Sequence, residues 1–228
     1  NIYKWQVAQL FHILPPTEAT ARMVSVFWGV VSMLVVFWSA LVFTRRKEIA
    51  LLATLLFAVS VAGIIFDRRL RMYAMFTPVY LALATVIYQS FEEQARMRWC
   101  GWLQARIGVH PRYVLLSAGL FIISLLTHQL SAMIVFSTVA YLIIMGVREY
   151  RASGVWKNRY SGWLALGIAG VAALGTVAPK FLSSFTSGLM WFDDHYSYIG
   201  YVMEDYAHPL LAVFLIGFGA YVIALRER

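Results

Sequence analysis

Residues 64–76, IIFDRRLRMYAMF, place Asp67, Arg68, Arg69 and Arg71 between two apolar runs, with Tyr73 directly after them. Arginine forks match the oxygens of a phosphate, and a helix opening at residue 71 would add its N-terminal dipole to the same site. Guanidinium groups from Arg68 and Arg71 and the Tyr73 phenol therefore make a candidate anion grip. A second group is His128, beside Thr127 and Gln129 in otherwise apolar sequence. Polar side chains at a break in such a run are read first as facing a substrate. The third is the acid pair Asp193 and Asp194, followed by His195 and set among Trp191, Tyr196 and Tyr198. Such acids suit a general base, and the rings offer faces to a sugar. Each group also has a plainer reading. The arginines can snorkel to headgroups with Asp67 pairing one of them, His128 can bond backbone groups freed at the break, and the acids can line a solvated loop. Arg22 divides in the same way, between snorkelling and facing the site of Arg68.

What must position these residues is a membrane. Hydrophobic residues make up 61% of the 228 and charged residues 13%, half the charged share of an ordinary globular domain. Several apolar runs reach the roughly 20 residues needed to cross the hydrocarbon core. The expected fold is an all-α, polytopic transmembrane helix bundle, taken as a single membrane domain over 1–228. Its full spans are 23–44, 48–66, 71–90, 161–178 and 208–225. Residues 1–14 are too short to span and suit an interfacial helix, with Trp5 and Phe11 near the headgroups. The run 113–147 would measure about 52 Å as one helix, too long for a bilayer. Two shorter helices broken near 127–129, a hairpin or re-entrant pair, fit better.

Charge fixes the orientation. With that break, Arg45, Arg46, Lys47, Arg96, Arg98, Arg106, Arg112, Arg148, Arg151, Lys157, Arg159, Arg226 and Arg228 share one side, and the other keeps Lys4, Arg22, Arg68, Arg69, Arg71 and Lys180. The split of 13 to 6 is a positive-inside pattern, which makes the richer side cytoplasmic. The formal charge of +8 then reflects basic loops, with no nucleic-acid partner implied, and the cytoplasmic pairs Glu92–Glu93 and Arg96–Arg98 read as a solvated helix end. Half of the outer basic residues fall at 68–71, a local reversal of the rule. The lone Cys100 excludes an internal disulfide, and His128 has no second zinc ligand at helical spacing. No phosphate-cradling glycine loop and no complete Ser/His/Asp set is present, which argues against a soluble type of hydrolase. The chain opens at Asn1 without a methionine and stops at ALRER after an apolar run. The expectation is a fragment of a longer protein, cut at both ends.

The order of these elements resembles the GT-C glycosyltransferases, and more narrowly their protein O-mannosyltransferase and lipid A aminoarabinose transferase-like branch. The resemblance rests on Glu18, Ala19, Ala21 and Arg22 leading into a Val/Leu/Gly-rich span. Arg68, Arg71, Tyr73 and Ala74 follow at the opening of a later helix, and then LLTHQLSAMIVF at 126–137. It covers roughly residues 15–147. It implies transfer of a sugar from a polyprenyl-phosphate carrier to a protein, lipid or glycan acceptor. The site would face the outside or periplasm of a bacterial inner membrane. By resemblance, Arg68, Arg71 and Tyr73 hold the carrier phosphate; Arg22 is added to that site by its position, and His128 and Gln129 are the candidate substrate contacts. The catalytic base would lie in a first outer loop upstream of Asn1, with Asp193 and Asp194 as weaker candidates. No protein-bound metal site is implied, although a divalent cation can assist such chemistry; the partners are the donor and membrane lipid. The rival reading is a transporter or flippase for a lipid-linked anion, with the broken pair at His128 on the substrate path.

Overall fold

The computed structural model describes residues 2–60, 73–156 and 158–177. The chain divides into two compact units, Asn1–Ala173 and Leu174–Arg228, and the packing below is that of the first. Among the described residues every regular element is helical. The order is α1 (Ile2–Ile13), α2 (Glu18–Thr44), α3 (Lys47–Ala58), α4 (Tyr73–Glu92), α5 (Arg98–Ile107), α6 (Pro111–Thr127), a 3-10 turn (Gln129–Met133), α7 (Ile134–Ser153) and α8 (Arg159–Val177). Local chemistry sets these boundaries. Pro15 and Pro16 end α1, and Thr17 caps α2 by accepting from the Thr20 N–H at 3.2 Å. Pro111 opens α6, where its missing N–H costs nothing. Gly108 and Gly154 close α5 and α7 in the left-handed region.

The helices are inside-out by the standard of a soluble bundle. The buried stripe of α2 is Ala21, Ser25, Gly29, Ser32 and Ser39, while Phe27 and Leu34 on the same helix are exposed. α3 likewise buries Ala50 and exposes Leu51, Leu52, Leu55 and Leu56. Lipid gives apolar side chains no reason to turn inward, so the interior goes to small residues that let backbones approach and to hydroxyls that bond across helices. The Thr85 hydroxyl donates to Ser39 Oγ at 2.8 Å between α4 and α2, with both groups buried. This pattern, more than hydropathy alone, marks an integral membrane protein.

Three of the described helical stretches are long and apolar enough to cross a bilayer: Glu18–Thr44, Tyr73–Glu92 and Ser131–Ser153. A fourth results if α5 and α6, bent by 76° at their junction, count as one span. The expected spans 23–44 and 71–90 match the first two. The run 113–147 breaks at His128, as its length required, and supplies the third. The other expected spans, 48–66, 161–178 and 208–225, extend partly or wholly outside the described residues, among which three spanning helices, or up to four, are found.

Side-chain contacts give each helix a direction. Val24 and Trp28 of α2 pack on the cluster holding Met75 and Val79 of α4. Further along, Phe43 meets Tyr88 at 5.0 Å and Arg45 pairs with Glu93 at 2.7 Å. α2 and α4 are therefore parallel. α6 opposes α4: Thr127 at its end approaches Met75, while the His110 N–H at its start donates to the Ser90 carbonyl at 2.7 Å. α7 reverses again, because Ser131 bonds Ser124 near the break and Leu142 shares a cluster with Val109 and Val114 far from it. The bundle thus has a Tyr73 end and a Glu92 end. α1 joins the first through Tyr3, whose hydroxyl bonds Ser25 at 2.7 Å and whose ring packs with Met75.

Candidate functional site

At the Tyr73 end the structure joins two residues that lie far apart in sequence. Tyr73 opens α4, and Phe76 follows one turn later. His128 is the residue at which α6 stops, in extended backbone with φ −154° and ψ 140°. Its ring centroid lies 5.3 Å from that of Tyr73 and 5.3 Å from that of Phe76. The three rings form a small aromatic cup carrying one phenol and one imidazole. His128 lies in the turn between two spanning segments, and burial lowers its pKa below the ordinary value. The imidazole is therefore neutral at pH 7 and can both donate and accept.

The backbone at the break is closed by hydroxyl groups. The His128 N–H donates to the Ser124 carbonyl at 2.9 Å, and the His128 carbonyl accepts from the Ser131 hydroxyl at 2.7 Å. Ser124 and Ser131 bond each other through their hydroxyls at 2.6 Å, and both are fully buried. The Thr127 hydroxyl donates to the Ile123 carbonyl at 2.8 Å. An interrupted helix in an apolar setting must satisfy these groups internally, and here serine and threonine do so. Ser124 and Ser131 were readable as hydroxyls in an apolar run, but nothing in their spacing announced that they pair.

Arg22 lies at the same end, one turn into α2, and its guanidinium pairs with Glu18 at i,i+4. Half of its side chain is exposed, and it makes no described contact with Tyr73 or His128. Arg68, Arg71, Asp193 and Asp194 lie outside the described residues, as does the side chain of Gln129. The structure therefore assembles Tyr73 with His128, adds Phe76, and keeps Arg22 on its own acid.

The Glu92 end holds a different cluster, and here the sequence reading needs correction. The expectation for Glu92 and Glu93 with Arg96 and Arg98 is a solvated helix end. Instead one Glu92 oxygen accepts the Tyr141 and Tyr160 hydroxyls, each at 2.6 Å. Arg159 donates to the Phe91 carbonyl and to the Tyr160 hydroxyl, each at 2.7 Å, with its charge 3.9 Å from Glu92. Phe91 stacks on Tyr160 at 5.8 Å. A carboxylate that ties the end of α4 to the start of α8 and the middle of α7 gains more from short hydroxyl donors than from water. Only the two arginines keep the expected exposure.

Between α4, α6, α7 and α8 lies an apolar cavity of about 850 Å³. Leu83, Ile87, Phe121, Val135, Leu142 and Trp163 form much of its wall, and its hydroxyls are limited to Ser90, Ser117 and Thr138. A wall of that chemistry suits a hydrocarbon chain and offers nothing to a charged or sugar-like ligand. No family model, no curated protein and no solved structure matches the chain.

Proposed function

We propose that this protein is an integral-membrane glycosyltransferase of GT-C type that uses a polyprenyl-phosphate-linked sugar donor and acts at the extracytoplasmic face. The observation that carries the reading is the cup of Tyr73, Phe76 and His128, opened by a helix whose approach in sequence is the arginine run Arg68, Arg69 and Arg71. Aromatic faces and a neutral imidazole suit a sugar, and the arginines that precede Tyr73 in sequence suit its phosphate. Negative charge grows on the lipid phosphate as the glycosidic bond breaks, and fixed cations there lower the barrier. The apolar cavity offers room for the isoprenoid tail. On this reading the whole bundle has five full spans plus the hairpin broken at His128; the 13-to-6 basic split supports an outward-facing cup, and the family resemblance supports a bacterial inner membrane.

The test is transfer from radiolabelled polyprenyl-phosphate sugars by the full-length protein in proteoliposomes. Arg71→Ala is expected to lower turnover about a hundredfold, the usual effect of removing one group that stabilises developing charge. His128→Ala is expected to weaken donor binding. Absence of transfer with every donor, or wild-type turnover in Arg71→Ala, sinks the reading. The discontinuity at His128 favours transport as a second reading. Movement of labelled lipid across the vesicle membrane without sugar transfer would establish that one instead.

A further inference from the structure

We infer that α5 is a docking face for anionic phospholipid headgroups, a lipid-recognition site separate from the Tyr73 cup and independent of the reaction proposed there. α5 departs from α6 by 76°, so it lies across the direction of its neighbouring span and not along it. One face is fastened inward. Cys100 is buried, and the Gln104 amide accepts from the Ala95 N–H and donates to the Glu93 carbonyl, each at 2.7 Å. The opposite face carries Arg98, Trp99, Trp102 and Arg106, all exposed. The Arg106 guanidinium sits over the Trp102 ring at 4.2 Å, which fixes a charge and an indole as one unit.

The partner follows from charge and amphipathicity. From Gln94 to Arg112 the sequence contains four arginines, Arg96, Arg98, Arg106 and Arg112, and no acid. None of the four forms an ion pair among the described residues, whereas Arg22, Arg45 and Arg159 each have a carboxylate. Unneutralised arginines interleaved with exposed indoles at the end of a membrane bundle match a surface that is negative outside and apolar just beneath. Anionic headgroups over acyl chains are that surface. A nucleic acid would satisfy the charge but leave the indoles in water beside a bilayer.

The experiment uses the full chain in nanodiscs of phosphatidylcholine doped with either brominated phosphatidylglycerol or brominated phosphatidylcholine. Quenching assigned to α5 is the difference between wild type and the W99F/W102F variant. At equal doping, the anionic quencher is expected to be about fivefold more effective or better, since each arginine near a charged surface enriches anionic lipid by roughly that factor. High salt should remove the preference, and R98Q/R106Q should abolish it while quenching by the neutral lipid persists. The wild-type comparison decides the matter even if that variant does not fold. Equal quenching by the two lipids, or no quenching by either, overturns the inference. So does loss of the anionic preference on adding a single-stranded oligonucleotide, which would reassign the face to nucleic acid.

Discussion

A carboxylate near a helix end is worth little while water can reach it, and Glu92 is instructive because its partners are tyrosines. The two hydroxyls that converge on one oxygen come from α7 and α8, so truncating Glu92 strands two phenols and removes the partner of Arg159. Glu92→Ala should lower stability by about 3 kcal/mol, and Tyr141→Phe or Tyr160→Phe by about 1 kcal/mol each. Because the three groups share one oxygen, the tyrosine substitutions should cost almost nothing further in the Glu92→Ala background. Thermal unfolding in a fixed detergent supplies the comparison, and strictly additive losses would mean that these bonds do not act as a unit. At the other end, Tyr73→Phe keeps the ring against His128 and deletes only the hydroxyl. It should lower sugar transfer out of proportion to any change in unfolding temperature, which separates a binding role for the phenol from a packing one.

Among the elements, two glycines with nearly the same backbone angle should behave differently. Gly108 ends α5 at φ +74° and Gly154 ends α7 at φ +71°. Alanine at either position meets the left-handed penalty of about 1 kcal/mol. At Gly154 nothing lies near the added methyl, whereas at Gly108 it would fall 2.8 Å from Arg159 Cβ. Gly108→Ala should thus be the more damaging by roughly 1–3 kcal/mol, and it should also loosen the Arg159 contact with Phe91. Equal losses would mean that α8 yields freely at this point. The contrast also marks how far the sequence could be read. The break at His128 was legible, since it follows from a run too long for a bilayer. The pairing of Tyr73 with His128 was not legible, because it needs α4 and α6 to be antiparallel with their ends in register. The Glu92 cluster was misread for a similar reason. Two of its members, Tyr141 and Tyr160, stand 49 and 68 positions away, and a doubled glutamate at a helix end ordinarily faces solvent.

For the whole molecule, the alternation of helix directions makes the orientation testable with very few labels. α2 and α4 run parallel, α6 opposes them, and α7 reverses again. Thr17, Tyr73 and His128 therefore share one end, and Arg46, Met97 and Ser153 belong to the other. The directions come from side-chain contacts and the sidedness from charge, so the two arguments do not depend on each other. In a Cys100→Ser background, which removes the single native thiol, Thr17→Cys should react with a membrane-impermeant maleimide added outside intact cells. Arg46→Cys and Met97→Cys should react only after permeabilisation. Both of these lie beside arginines at the Glu92 end, which is the cytoplasmic end under the proposed orientation. Labelling of all three from one side would break the parallel arrangement of α2 and α4. Labelling with the sides exchanged would keep the bundle intact but turn the Tyr73 cup toward the cytoplasm. A transferase using a donor presented outside would then have its arginines on the wrong face, and the proposed reaction would fall with the orientation while the α5 lipid site stood.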